Sequence, residues 1–275
     1  MPKSGTHLLT QVVSLLGYRD FGNYDALWPR LRDRFGIGTP VVLAHRRVNR
    51  QWKRRWYALV GIDRRRQTIP MDVTLPVQVP VNLAQEWLRA IPPGHFLSGH
   101  LPWTEATAGL VRTAQLKNLM IIRDPRDVLV SFLHFVMRPQ HLLSKDFQSL
   151  TPDQRLILAI DGGRGPRSGK QIIGLRQAFG SILEWRREPD VLLLHFESLI
   201  GERGQGSNAT QRAAVRAICQ YLDLDSDNDD LIEHVCLHAF DTNAETFRRG
   251  KIGSWQDELT PDQIRMCNEG FAQFL

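Results

Sequence analysis

NLMIIRDPRDVLVS, residues 118–131, is the stretch from which the fold of this chain is read. Its opening is a short apolar run of the kind found in strands covered on both faces. Arg123 stands at the strand end, Asp124 is suited to an N-cap, Pro125 fits the first helical position, and an apolar helix follows. Asp124 and Ser131 are seven positions apart, close to two helical turns, so Ser131 lies above the cap and above Arg123. A cation at a strand end beneath a helical hydroxyl makes an anion site. The alternative, left open here, is that Arg123 only pairs with Asp127.

VVLAH (41–45), HFLSGH (95–100) and VLLLHF (191–196) are further runs of buried-strand character with helical segments between them. That alternation predicts an α/β chain with a mostly parallel central sheet flanked by helices in three layers. Residues 69–82, with Pro70, Pro76 and Pro80, read as extended loop, and the glycine-rich residues 161–174 as flexible loop. Gly169-Lys170 within the latter does not make a Walker A motif, because Arg164 and Gln171 occupy the required glycine and hydroxyl positions. Thr-Pro-Asp-Gln occurs at 151–154 and 260–263, and capping-box chemistry, rather than a repeat, explains both.

A length of 275 residues suits one α/β domain spanning 1–275. No run approaches the roughly 18 apolar residues of a membrane span, and no secretory pattern opens the chain, so the expected address is the cytoplasm. Cys219, Cys236 and Cys267 are three and far apart, which predicts reduced structural thiols rather than disulfides or a metal site. The net charge of +6 is concentrated: residues 46–66 carry nine Lys/Arg against Asp63, leaving the remainder at −2. Such a patch attracts anions, or is a solvated face with Trp52 and Trp56 turned inward.

Two further segments carry chemistry. Lys3-Ser4-Gly5-Thr6-His7 runs directly into an apolar-periodic helix that Gly17 ends. Unpaired amides and the dipole at a helix start, a glycine permitting close approach, two hydroxyls and a lysine together suit a phosphate. The plainer alternative is a Ser/Gly helix cap with a solvated lysine. FRRGKIGSW, residues 247–255, interleaves Arg248, Arg249 and Lys251 with Gly250 and Gly253, suiting a loop that folds over phosphate oxygens.

PKSGT before an apolar residue, RDPRDVLVS and RRGKIGSW, in this order and spacing, resemble the cytosolic-type sulfotransferase family over nearly the whole chain. The resemblance implies a fold related to P-loop nucleotide kinases and the sulfuryl donor 3′-phosphoadenosine 5′-phosphosulfate (PAPS) as co-substrate, with no metal. It implies that Lys3, Ser4, Gly5 and Thr6 hold the 5′-phosphosulfate, with the adjoining His7 and Leu8 also among the cofactor-binding residues. Lys3 would neutralise charge on the oxygen leaving sulfur. Arg123 and Ser131 would hold the 3′-phosphate, with Arg248, Arg249 and Gly250 closing over it. His100, in SGHLP, would be the general base taking the proton of an acceptor hydroxyl or amine during in-line attack.

Some positions depart from the family pattern. Leu8 stands where many members place a tryptophan against adenine, Phe196 where a tyrosine is common, and Ser98 where a lysine often precedes the histidine. Phe196 retains a ring for stacking. Met1-Pro2 leaves no strand before the first loop, which predicts an N-terminally shortened form or a misplaced start. Rival readings are a non-catalytic nucleotide binder and a polyanion binder using residues 46–66; no nucleic acid is the expected partner. The resemblance implies an acceptor pocket from residues 46–93 and 138–170, which mix basic, aromatic and proline residues without a readable code; a small-molecule or carbohydrate acceptor is expected, the basic patch favouring an acidic one such as a carbohydrate.

Overall fold

The computed structural model describes residues 1–21, 68–74, 77–240 and 248–275. In chain order the elements are α1 (Thr6–Leu15), β1 (Arg19–Asp20), β2 (Thr68–Met71), β3 (Val77–Pro80), α2 (Val81–Arg89), β4 (His95–Phe96), α3 (Glu105–Thr113), β5 (Asn118–Ile122) and α4 (Pro125–Val136). They continue with α5 (Ser144–Gln148), α6 (Pro152–Asp161), β6 (Gly162–Arg164), β7 (Gln171–Ile173), α7 (Leu175–Leu183), β8 (Val191–His195), α8 (Phe196–Leu199), α9 (Asn208–Tyr221), α10 (Asp229–His238), α11 (Ser254–Glu258) and α12 (Pro261–Gly270). Two compact units result: Met1–Leu16 with Lys117–Leu275, and Gly17–Leu116.

In the larger unit β5 and β8 pair in parallel, from Asn118 opposite Val191 to Ile122 opposite His195. Both apolar runs therefore become strands, and Met120, Ile121 and Leu194 are buried there. α4 begins as its sequence predicts: Asp124 caps it by accepting from the Arg126 N–H, and Pro125 occupies the first position. Its apolar side buries Val128, Leu129, Val130, Phe132 and Val136. Phe132 meets Phe147 of α5 edge-on at 6.2 Å, and α1 buries Leu8, Leu9, Val12 and Val13. Each such side chain contributes roughly 1.5–3 kcal/mol on burial. Both Thr-Pro-Asp-Gln segments form capping boxes, opening α6 and α12. The three cysteines are free.

Residues 161–174 are a correction. They form the antiparallel hairpin β6–β7 rather than a loop. The buried carboxylate of Asp146 holds its turn, Oδ1 accepting from the amides of Arg167 (2.7 Å) and Ser168 (2.8 Å), an ordering that glycine content alone does not reveal.

In the smaller unit β1 pairs in parallel with β4, Arg19 opposite His95 and Asp20 opposite Phe96. The run at 95–100 thus yields a strand of two residues, and VVLAH (41–45) lies outside the described residues. Residues 69–82 are also corrected: β2 and β3 pair antiparallel from Thr68–Pro80 to Met71–Val77 and lead into α2. Prolines are tolerated in a ladder where a strand is bonded on one side. Ile69, Val79, Ala84, Leu88 and Leu110 form the local core. Thr104 caps α3 in a reciprocal box with Thr107, whose hydroxyl also donates to the Pro102 carbonyl at 2.8 Å. That bond fixes the segment just after His100.

Candidate active site

The first loop is built by packing. Lys3 (φ 64°) and Gly5 (φ 107°) both adopt left-handed backbone, turning the chain sharply into α1. At Gly5 a Cβ would lie 2.6 Å from Phe196 Cδ2 and 3.1 Å from Ile121 Cδ1, so the position excludes every side chain. Ser4 is fully buried, its Oγ within hydrogen-bonding distance of the carbonyls of Met1 (2.7 Å) and Ile121 (3.0 Å). The hydroxyl expected to face an anion instead anchors the loop to the C-terminal end of β5. The unpaired amides at the start of α1 and the Thr6 side chain remain for a ligand.

Lys3 Nζ sits 5.0 Å from the centroid of Phe135 on α4. Burial lowers its pKa to about 8, helped by the positive charges of Arg138, Arg123 and Arg248. Desolvation and like charge both disfavour the ammonium form, and the attraction of a bound anion opposes them.

Arg123, directly after β5, is held from three sides. Its guanidinium stacks 4.2 Å from the Phe196 centroid, Nη2 donates to the Lys251 carbonyl at 2.7 Å, and Nη2 stands 3.3 Å from Asp127 Oδ2. The Asp127 pairing is real, yet it leaves Nε buried with no hydrogen-bond partner. Burial lowers the Arg123 pKa, with Asp127 and Glu197 acting the other way. A buried donor without a partner costs about 1–3 kcal/mol, which an anionic oxygen would recover. Ser131 is buried one turn beyond Asp127 on α4.

Asp127, fully buried, also reaches the C-terminal segment, accepting from the amides of Gly253 (2.8 Å) and Trp255 (3.1 Å). One carboxylate thus ties Arg123 to the start of α11. Within that segment Arg248 donates to Glu258, Arg249 Nη1 lies 3.3 Å from the same carboxylate, and His134 Nε2 of α4 lies 2.6 Å from its other oxygen. Burial opposes Glu258 ionisation, but bonds from Arg248 and His134 draw its pKa below the ordinary value. Gly250 and Gly253 are both left-handed, φ 56° and 73°, and the Ile252 amide donates to the Gly204 carbonyl at 3.1 Å.

Three motifs separated by more than a hundred residues therefore meet in one unit. The family model for the sulfotransferase domain matches residues 1–275. The chain belongs to the sulfotransferase family. Mouse sulfotransferase SULT7A1, solved with PAP, superimposes on it with a TM-score of 0.57 at 20% identity, covering 99% of this chain and 80% of that one. Retinol dehydratase, solved with androsterone and inactive cofactor PAP and also with retinol and PAP, gives 0.53 at 16% identity over 98% of this chain and 77% of that one. These likenesses establish the P-loop-like α/β sulfotransferase fold. No curated protein sequence matches the chain.

Leu8 is buried with the apolar face of α1, while His7 is exposed and its carbonyl accepts from Thr10 Oγ1 at 3.1 Å. Phe196 is not a strand residue; it opens α8, buried, with Arg123 against its ring. His100 is half-buried in the smaller unit, after β4. Asp127, Glu197, Glu258 and Trp255 join the site only in the structure. Glu197 accepts from the Asp124 amide at 2.9 Å, and Trp255 carries the Arg126 guanidinium 3.9 Å from its centroid. The i, i+4 spacing of Arg123 and Asp127 was the one legible signal; the other partners lie too far along the chain. Among the described residues no group of His, Cys, Asp or Glu could hold a metal ion, and no helix is long and apolar enough to cross a membrane.

Proposed function

We propose that the chain is a catalytically competent PAPS-dependent sulfotransferase that sulfates a hydroxyl or amine acceptor, its two units acting as one domain in the cytoplasm. The observation that carries this reading is the cationic cluster of Lys3, Arg123 and Arg248, brought close enough for each arginine to depress the Lys3 pKa. Such a cluster with a buried Arg123 Nε lacking a partner suits a ligand with two anionic ends. PAP bound to the structural neighbours is a ligand of that kind.

PAPS supplies the sulfuryl group. Arg123, Ser131, Arg248, Arg249 and Gly250 hold the 3′-phosphate, and Gly5, Thr6 and the amides opening α1 hold the phosphosulfate end. The acceptor oxygen or nitrogen attacks sulfur in line. The bond from sulfur to the bridging oxygen breaks, and Lys3 offsets the charge gathering on that oxygen. His100 takes the acceptor proton, leaving PAP and the sulfated acceptor.

Transfer from radiolabelled PAPS across phenol, alcohol, amine and carbohydrate acceptors tests the reading. The full chain is expected to turn over at least one class, with Lys3→Ala and His100→Ala each lowering kcat by about 10²–10³-fold. PAP binding without any transfer would make it a binder instead, and undiminished turnover in His100→Ala would remove that residue as base.

A further inference from the structure

The turn joining α8 to α9, GERGQG at residues 201–206, is closed on itself. The Gly204 and Gly206 amides donate to the Gly201 carbonyl at 3.1 and 2.8 Å, and Ser207 caps α9 by accepting from the Thr210 amide. Gln211 of α9 is buried and donates through Nε2 to the Leu199 carbonyl at 3.0 Å and the Cys236 carbonyl at 3.3 Å, which fixes the entry to the turn.

Gly204 meets the segment that carries Arg248 and Arg249 at two points. Its carbonyl accepts from the Ile252 amide at 3.1 Å, and a Cβ on it would lie 2.5 Å from the Gly250 carbonyl oxygen and 2.1 Å from Ile200 Cγ1. Its backbone is not left-handed, unlike that of Gly201 at φ 68°, so glycine serves here for space rather than for conformational freedom. The peptide group joining Lys251 to Ile252 is thus held at both ends, its N–H by Gly204 and its carbonyl by Arg123 Nη2 at 2.7 Å. Two hydrogen bonds through one peptide group polarise each other. A shift at residue 204 is therefore felt at Gly250 and at the carbonyl that orients Arg123.

Resting on the functional reading above, we propose that Gly204 is a positioning residue for the 3′-phosphate half of the nucleotide site. It sets how closely residues 248–252 approach Arg123. A side chain at residue 204 must push the Gly250 carbonyl outward, because backbone cannot swing aside as the tip of a flexible side chain can, and the 251–252 peptide group moves with it. Arg123 and Arg248 then no longer meet one phosphate in the geometry that paired guanidinium bonds need. The 5′ end is spared: the first loop rests on Ile121 and Phe196, and none of the three atoms nearest a Cβ at residue 204 belongs to it.

Calorimetric titration of the full chain with PAP and with adenosine 5′-phosphate, which lacks the 3′-phosphate, separates the two ends. Wild type is expected to prefer PAP by about 100-fold or more, the size of two charge-assisted hydrogen bonds. Gly204→Ala should cut that preference about tenfold and leave adenosine 5′-phosphate binding unchanged. Gly206→Ala is the control: its Cβ would crowd the Glu197 carbonyl at 3.0 Å and the Gly201 carbonyl and Ile200 at 3.1 Å, but not residues 248–252, so the preference should be kept. Where Gly204→Ala does not fold, Ile200→Ala and the double variant Ile200→Ala/Gly204→Ala take its place, a pair that lacks the Ile200 contact and differs in the contact with Gly250. An unchanged preference in Gly204→Ala, an equal loss for both nucleotides, or the same loss of preference in Gly206→Ala overturns the proposal. A wild type with no preference for PAP instead breaks the assignment of Arg123 and Arg248 to a 3′-phosphate, and the inference falls with it.

Discussion

The two loops that frame the cationic cluster are held in opposite ways. The loop of Lys3, Ser4 and Gly5 is fixed by buried neutral contacts: a serine hydroxyl on two carbonyls and a glycine pressed against Phe196 and Ile121. The segment from Arg248 to Trp255 is fixed by charge, through Asp127, Glu258 and a Lys251–Asp257 pair at 3.2 Å. Neutral packing is insensitive to salt and to bound phosphate, whereas an ion pair can be exchanged for another anion. On the proposed function, the first loop is a preformed cradle and the second a replaceable cover, with Glu258 occupying the arginines that a phosphate would claim.

Asp127 is the exception within the cover, and removing it should break the contrast most severely. Asp127→Ala strips Arg123 of its buried counter-charge and orphans two amides, so unfolding in urea should show a loss of about 3–5 kcal/mol. If PAP supplies the missing anion, it should stabilise this variant at least as much as wild type. Gly5→Val comes next. It meets both a 2.6 Å clash and an unfavourable φ, and calorimetry should find PAP binding weakened by about 30-fold or more, at any salt concentration. Ser4→Ala removes a buried hydroxyl but no charge, and should cost about 1–2 kcal/mol in urea unfolding with no dependence on salt.

The smallest effect sharpens the contrast. Glu258→Gln should tighten PAP binding about three- to tenfold, because the arginines no longer leave a carboxylate to reach the phosphate, and change stability by under about 1 kcal/mol. In wild type the contribution of Glu258 is complete above the ordinary glutamate pKa of 4.5 and fades as pH falls through its lowered value in the folded chain. Glu258→Gln should flatten that acid limb of the stability profile. In turnover, the Lys3 pKa of about 8 predicts that kcat/KM for PAPS falls on the alkaline side near that pH, as the ammonium loses its proton.

Much of this was legible in the sequence because it is local. The strand-cap-helix order at 118–131, both capping boxes and the glycine ending α1 each depend on residues within a few positions of one another. What escaped depends on distance along the chain. Ser4 reads as a ligand hydroxyl until Ile121 is seen beneath it, and residues 161–174 read as loop until Asp146 is found holding their turn. Glu258 gives no local sign of the arginines it holds.

The most direct test of the account is a crystal structure of the full chain with PAP. The 3′-phosphate is expected between Arg123 and Arg248, with Glu258 displaced from Arg248, and the 5′-phosphate against Lys3 and the amides opening α1. PAP bound away from these three residues, or Arg248 still paired to Glu258 beside a bound nucleotide, would contradict it.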